Sequence, residues 1–128
     1  MSVNMTTFPG GTLDGSEVRK TAAYTVVTST DSGKAFISDV ATITYTLPGI
    51  AIGNTFTFVY DGPDGVGTII LSPNASDGIS FKGSATDDVD LVLTTATAKR
   101  GDFVTIASLD QAVAWQVTAV RGVWAKAS

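Results

Sequence analysis

The chain is divided into short runs of β-branched and aromatic residues, separated at close intervals by glycine, proline, asparagine and aspartate. The clearest run is Thr55–Tyr60, in which aromatic residues alternate with threonine and valine. Successive side chains of a strand point to opposite faces, so Phe56, Phe58 and Tyr60 are expected to point together into the core. No stretch has the sustained apolar period of about 3.6 residues that indicates a helix. The pattern therefore predicts a chain built from β-strands.

Other runs of the same character are separated by turn signals such as Asp31-Ser32-Gly33 and Pro48-Gly49. About eight or nine short strands at this spacing predict an all-β fold, either a β-sandwich or a jelly-roll-like barrel. The runs that we interpret as strands besides Thr55–Tyr60 are Ala23–Thr28, Ala35–Ser38, Thr42–Leu47, Gly67–Ser72, Val89–Thr94, Phe103–Ser108, Ala112–Ala119 and Gly122–Lys126.

The length of 128 residues predicts a single domain with a core of its own. Residues 1–20 are rich in threonine and glycine and carry only scattered apolar side chains, so we interpret them as an extended N-terminal arm and residues 21–128 as the β domain. The arm has two interpretations. It is either a frayed terminus or a segment that orders against a partner protein or a neighbouring subunit, with Phe8 and Leu13 as its anchors.

The charge pattern argues against nucleic acid and membrane partners. The formal net charge is −4, and basic residues are adjacent only at Arg19-Lys20 and Lys99-Arg100, whereas phosphate-backbone binding requires clustered positive charge. No apolar run approaches the length that spans a bilayer, and the N-terminal residues lack the pattern of a secretory signal. We therefore expect the chain to be synthesised and kept in a cytoplasm.

The chain contains neither cysteine nor histidine, which restricts the chemistry it can perform. Disulfides, thiolate metal sites, imidazole metal ligands and the ordinary serine–histidine–aspartate triad are all excluded. Asp87, Asp88 and Asp90 could supply oxygen ligands to a hard cation or carboxylates to an enzyme, but a solvated loop entering a strand is the favoured interpretation. We therefore predict no catalytic residues, no metal site, no cofactor and no enzymatic activity.

Aromatic residues leave one binding hypothesis open. Trp115, Trp124 and Tyr60 could stack on the sugar rings of a carbohydrate ligand. Packing of both tryptophans against a sheet is the favoured interpretation, because buried aromatic rings dominate the cores of small β domains.

Four stretches occur in an order that resembles the small β-domain virion structural proteins of tailed bacteriophages, a group that includes head decoration (cement) proteins. Related domains also occur in tail and fibre proteins. The resemblance covers roughly residues 21–125. The stretches are Thr21–Val26 with Asp31–Lys34; Tyr45–Pro48; Leu71–Pro73 leading to Asp77–Ile79; and Lys99–Val104 with Trp115–Val117 and Gly122–Trp124.

The resemblance implies a homotrimer that binds the major capsid protein at threefold positions on the outer head surface and stabilises the shell. It supplies no catalytic residues. A charged fraction of only 16% agrees with strand faces that other subunits cover. The alternative is a tail-associated or fibre-associated module that binds a receptor or a glycan.

Overall fold

The computed structural model describes residues 17–109 and 114–127. Within these ranges the chain is all-β, as the sequence predicts, and its helical content is limited to one turn, α1 (Thr28–Asp31), and a 3₁₀ turn at Thr95–Thr97. The strands are β1 (Glu17–Arg19), β2 (Tyr24–Thr25), β3 (Ala35–Ser38), β4 (Thr42–Thr46), β5 (Thr55–Tyr60), β6 (Thr68–Ser72), β7 (Gly78–Ser80), β8 (Leu91–Leu93), β9 (Phe103–Ala107), β10 (Ala114–Arg121) and β11 (Trp124–Lys126).

Two mixed sheets enclose one hydrophobic core. The first sheet has the order β1-β3-β5-β9-β10-β7, and the second has the order β11-β8-β6-β4-β2. From β1 to β6 the chain alternates between the sheets, and the strands that it adds to each sheet are parallel. The chain therefore winds around the core in three coils, each with one strand in each sheet. After the third coil, β8 and β9 pair antiparallel with β6 and β5 and complete the core.

Aromatic residues of successive coils stack at the centre of the core. Phe36 of β3 lies directly beside Phe58 of β5, with ring centroids 5.5 Å apart, and Tyr45 of β4 approaches Phe58 from the other sheet at 4.8 Å. The prediction that Phe56, Phe58 and Tyr60 point into the core is confirmed, since all three side chains are fully buried. The alternating run thus fixes which face of β5 is internal.

Most predicted strands are found within a residue or two of their expected bounds, and β3 and β5 have the bounds predicted. The predicted strand Ala23–Thr28 is wrong in its second half, because β2 ends at Thr25 and α1 begins at Thr28. Asp31 holds this helical turn by accepting a hydrogen bond from the amide of Val27. Two short strands, β1 and β7, were not predicted. Three residues are too few to show an alternation, and both strands are held by parallel partners elsewhere in the chain.

The N-terminal segment is described only in part. Glu17–Arg19, within the predicted arm, forms an edge strand of the first sheet by pairing with β3. Residues 1–16, including Phe8 and Leu13, lie outside the described residues. In the ranges that the structure covers, none of the helical turns has the length and apolar character needed to cross a bilayer.

Tyr60 fixes the connection between β5 and β6. Its hydroxyl donates to the carbonyl of Pro63 at 2.6 Å and accepts the amide of Gly67 at 2.8 Å. A β-carbon on Gly67 would lie only 2.6 Å from the tyrosine ring and 2.7 Å from the carbonyl oxygen of Val40. Glycine is therefore required where this loop closes over the ring.

Candidate interaction surface

The aromatic residues considered for glycan binding are inside the protein. Trp115 and Tyr60 are fully buried, and Trp124 is 2% exposed, with its indole nitrogen donating to the carbonyl of Arg121 at 3.0 Å. The hypothesis that these three rings stack on sugars is therefore wrong, and their packing role, which the sequence favoured for both tryptophans, is confirmed.

The candidate carboxylates lie at the flank formed by β7 and β8. Asp87 forms a bridge with Gly78, and the amide of Asp88 donates to the carbonyl of Asp77 at 2.9 Å. The side chains of Asp87 and Asp88 are exposed, whereas Asp90 is half-buried. No group of three or more carboxylates that could hold a metal ion is found among residues 17–109 and 114–127. The loop therefore has the solvated character of a strand entry.

Lys126 lies on the same flank. Its ammonium group donates to the carbonyl of Ile79 at 2.5 Å. Burial lowers the pKa of Lys126, and the negative charge of Asp90 opposes this effect. The lysine thus joins β11 of the second sheet to β7 of the first, and its role is structural.

Among the residues that the structure describes, three further aspartates are buried, and each accepts a hydrogen bond from a backbone amide. The pairs are Asp31 with Val27 at 2.8 Å, Asp77 with Ile50 at 3.1 Å, and Asp102 with Lys99 at 2.8 Å. From the sequence alone, these residues indicate only turns. Their one signal was that each belongs to one of the four stretches that carry the family resemblance. These stretches therefore describe how the chain folds, because their other members include the core residues Tyr45, Leu71 and Trp115.

Asp31 has the most partners of the three. It accepts hydrogen bonds from the Tyr24 hydroxyl at 2.7 Å and from the Val27 amide, and Lys34 lies 3.6 Å away. Burial by itself raises the pKa of the Asp31 carboxyl, but the Val27 and Tyr24 hydrogen bonds and the Lys34 charge outweigh it, so the pKa is lowered. The hydrogen bond to Asp31, followed by burial, raises the pKa of Tyr24.

We expect Asp31→Asn to lower the free energy of unfolding at neutral pH by about 1–3 kcal/mol, because the charge that strengthens these hydrogen bonds is removed. The folded pKa lies below the unfolded value of about 3.9, so the stabilisation is complete above that value and is lost as the pH falls through the folded pKa. Urea unfolding of both proteins at a series of pH values measures this difference. A difference that stayed constant down to the lowest pH would contradict the assignment.

The described parts of the loops at one end of the sandwich carry little charge. Because β2, β4 and β6 are parallel, the loops that follow them lie at the same end. The loop that follows β9 lies there too, because β9 is antiparallel to β5 and ends beside the first residue of β5. We name residues 26–34, 47–54, 73–76 and 108–109 the uncharged end. Hydrogen bonds join its loops directly to one another or through Thr55 and Asp77. They run from the Gly33 amide to Thr55, from the Ile50 amide to Asp77, and from the Gly53 amide to Ser108.

Three aliphatic side chains protrude from the uncharged end. Val27 is 43% exposed, Ile52 66% and Leu109 52%. Among residues 26–34, 47–54, 73–76 and 108–109, the charged residues are Asp31, which is buried, and Lys34, which pairs with it. Asp110, the next residue after Leu109, lies outside the described residues. The exposed acids Asp87 and Asp88 border this end on the β7 side, where Asp87 bridges to Gly78 and the amide of Asp88 donates to the carbonyl of Asp77. Within the described residues, the uncharged end therefore combines exposed apolar groups with threonine, serine, glycine and asparagine, and its two charged residues pair with each other.

The opposite end is covered by ion pairs. Arg19 contacts Asp61 at 3.0 Å and Asp39 at 3.7 Å, and Arg100 approaches Asp61 at 3.8 Å. Lys99 and Asp64 form a further pair on the neighbouring loop. Such exposed pairs contribute little to stability, but they keep a surface hydrated. We name this surface, formed by Arg19, Lys20, residues 39–41, 61–67 and 99–102, the charged end.

The comparisons with known proteins add no functional information. No protein-family model matches the sequence, and no curated protein is significantly similar to it.

Proposed function

We propose that this chain is a head decoration protein of a tailed bacteriophage, which binds the outer capsid surface and stabilises the shell without catalysing a reaction. The observation that carries the proposal is the separation of charge between the two ends of the sandwich. The order of the four stretches supplies the virion context. The major capsid protein is the proposed partner, and the uncharged end is the proposed contact.

Interface physics supports this choice of contact. The cores of protein interfaces are depleted in charged residues. Burial removes the water that hydrates a charge, and this free-energy cost must be offset by new interactions with the partner. The described residues of the uncharged end are depleted in charge in this way, and they expose Val27, Ile52 and Leu109. Hydrogen bonds hold the loops that carry these side chains together. In the proposed orientation the charged end points away from the shell, where its ion pairs remain in water.

The proposed homotrimer has a candidate subunit contact in β10. Only Ala114–Gln116 of this strand pair with β7, so in the described part of the chain residues 117–121 have a strand neighbour on one side, β9. Val120 in this segment is 43% exposed. Three copies joined there would present three uncharged ends to the capsid, and such multivalent binding raises avidity without strong single contacts.

Electron microscopy with gold-labelled antibody tests the proposed location. We expect antibody raised against this chain to label the heads of phage particles recovered from the lysate in which the chain is produced. The label should be spread over the shell, because decoration proteins occupy many equivalent positions. Gold confined to the tail would contradict head decoration and favour the receptor-binding alternative. Particles without any gold would contradict a virion role altogether.

A further inference from the structure

Residues 51–54 form a tight turn that is bridged by a serine hydroxyl. In many β-turns the carbonyl of the first residue accepts a hydrogen bond from the amide of the fourth. Here the hydroxyl of Ser108 lies between these two groups, since it donates to the carbonyl of Ala51 and accepts from the amide of Asn54 at 3.3 Å. Gly53, the third residue, has a φ of +96°, which is typical of that position in a type II turn. A side chain from elsewhere in the chain therefore closes this turn.

The main chain of Ser108 adds two hydrogen bonds to the same turn. Its carbonyl accepts the amide of Gly53 at 2.8 Å, and its amide donates to the carbonyl of Asn54 at 2.9 Å. The side-chain amide of Asn54 also donates to the carbonyl of Ala51, at 2.7 Å. Ser108 is 1% exposed and directly follows β9. The turn is therefore anchored to a strand of the first sheet by one buried residue.

The anchored turn presents Ile52 to the solvent. Ile52 is the second residue of the turn, and its side chain is 66% exposed. A β-branched side chain has few favourable rotamers, so a fixed backbone restricts the directions in which the side chain can point. An interface group that is already ordered loses little conformational freedom when it binds. The turn therefore supplies a preformed apolar projection.

We infer that Ser108 is a positioning residue, which holds Ile52 in the orientation that enters an apolar pocket on the capsid protein. The inference rests on the proposed function, which supplies the partner and the contacting end. The pocket is apolar because Ile52 and the two other aliphatic side chains that protrude at this end, Val27 and Leu109, require apolar surroundings. Ser108 is buried within its own subunit, so its hydroxyl acts on binding only through the turn that carries Ile52.

Amide hydrogen exchange of the free full-length protein tests whether the turn is preformed. The amides of Gly53 and Asn54 both donate to Ser108 and should be protected in the natural protein. In Ser108→Ala they should exchange about tenfold faster, after correction for any change in the free energy of unfolding. Ser38→Ala is the matched control, because Ser38 is fully buried at the end of β3 and its hydroxyl has no partner among the described residues. Unprotected amides in the natural protein would overturn the inference, whether or not the protein binds phage heads.

Cosedimentation with phage heads that lack this chain tests whether the serine acts through Ile52. We expect Ser108→Ala to weaken binding about tenfold and Ser38→Ala to change it less than about twofold. In an Ile52→Ala background, Ser108→Ala should also have less than about a twofold effect, because the projection that it positions has been removed. Equal losses in both backgrounds would show that the serine supports the fold as a whole, and would overturn the inference.

The same measurements separate this inference from the proposed function. Unchanged head binding by Ser108→Ala would overturn the positioning role and leave the decoration role standing, whereas heads that do not bind the natural protein would contradict both. Asn54→Ala is the second variant if Ser108→Ala does not fold, because it removes the bond to Ala51 at a half-buried position. It should weaken binding about threefold, and only when Ile52 is present. Natural binding by Asn54→Ala would then overturn the inference.

Discussion

Replacement of Phe58 by alanine is expected to lower the free energy of unfolding by about 3–5 kcal/mol. The side chain is fully buried at the centre of β5, where it stacks on Phe36 and contacts Tyr45 across the two sheets. Truncation leaves a cavity beside the rings of Phe36 and Tyr45. These two rings cannot move to fill it, because both are already packed against other core residues. A loss of this size is a large part of the stability of an ordinary domain, about 5–15 kcal/mol.

Val59→Ala is the matched control for this prediction. Val59 is the next residue of the same strand, but it lies on the opposite face and is only half-buried, so we expect a loss below about 1 kcal/mol. Urea unfolding followed by tryptophan fluorescence measures both variants. Phe58→Leu keeps most of the volume and should give an intermediate value if the alanine variant does not fold. Equal losses for Phe58→Ala and Val59→Ala would contradict the assignment of the internal face.

The buried face of β5 could be predicted from sequence because alternation is a local property. Phe56, Phe58 and Tyr60 occur at every second position, and this period alone separates one face from the other. The pairing of β7 with β10 could not be predicted in this way. It joins Gly78 to Ala114, across 36 positions of the chain. The backbone at Gly78 also approaches the carbonyl of Ala85 so closely that a β-carbon would clash with it, and no local pattern announces that contact.

The candidate surface could not be predicted from the sequence either. Val27, Ile52 and Leu109 are separate apolar residues in three different loops. They share one end of the molecule only because β2 and β4 run parallel and β9 runs antiparallel to β5. Burial of Trp115 and Trp124 is expected from the general packing of aromatic rings in small β domains, but the sequence does not say which face of each strand the other sheet covers.

The second large effect is expected at the proposed capsid contact. Ile52 is the most exposed aliphatic side chain of the uncharged end, at 66%. Aspartate at this position would place an unpaired charge in an interface where Lys34, the cation among the described residues of this end, already pairs with Asp31, and desolvation of such a charge costs several kcal/mol. We therefore expect Ile52→Asp to weaken binding to phage heads by at least about 100-fold, or ~2.8 kcal/mol. Its stability should change little, because Ile52 lies in a loop outside the core.

Val66→Asp is the control, because Val66 is 54% exposed but lies at the charged end. The decisive measurement is cosedimentation of the purified natural protein and of both variants with phage heads that lack this chain. We predict saturable binding of the natural protein and of Val66→Asp, and loss of binding for Ile52→Asp. Heads that fail to bind the natural protein would contradict the decoration role. Binding that survives Ile52→Asp but is lost in Val66→Asp would contradict the uncharged end as the contact surface.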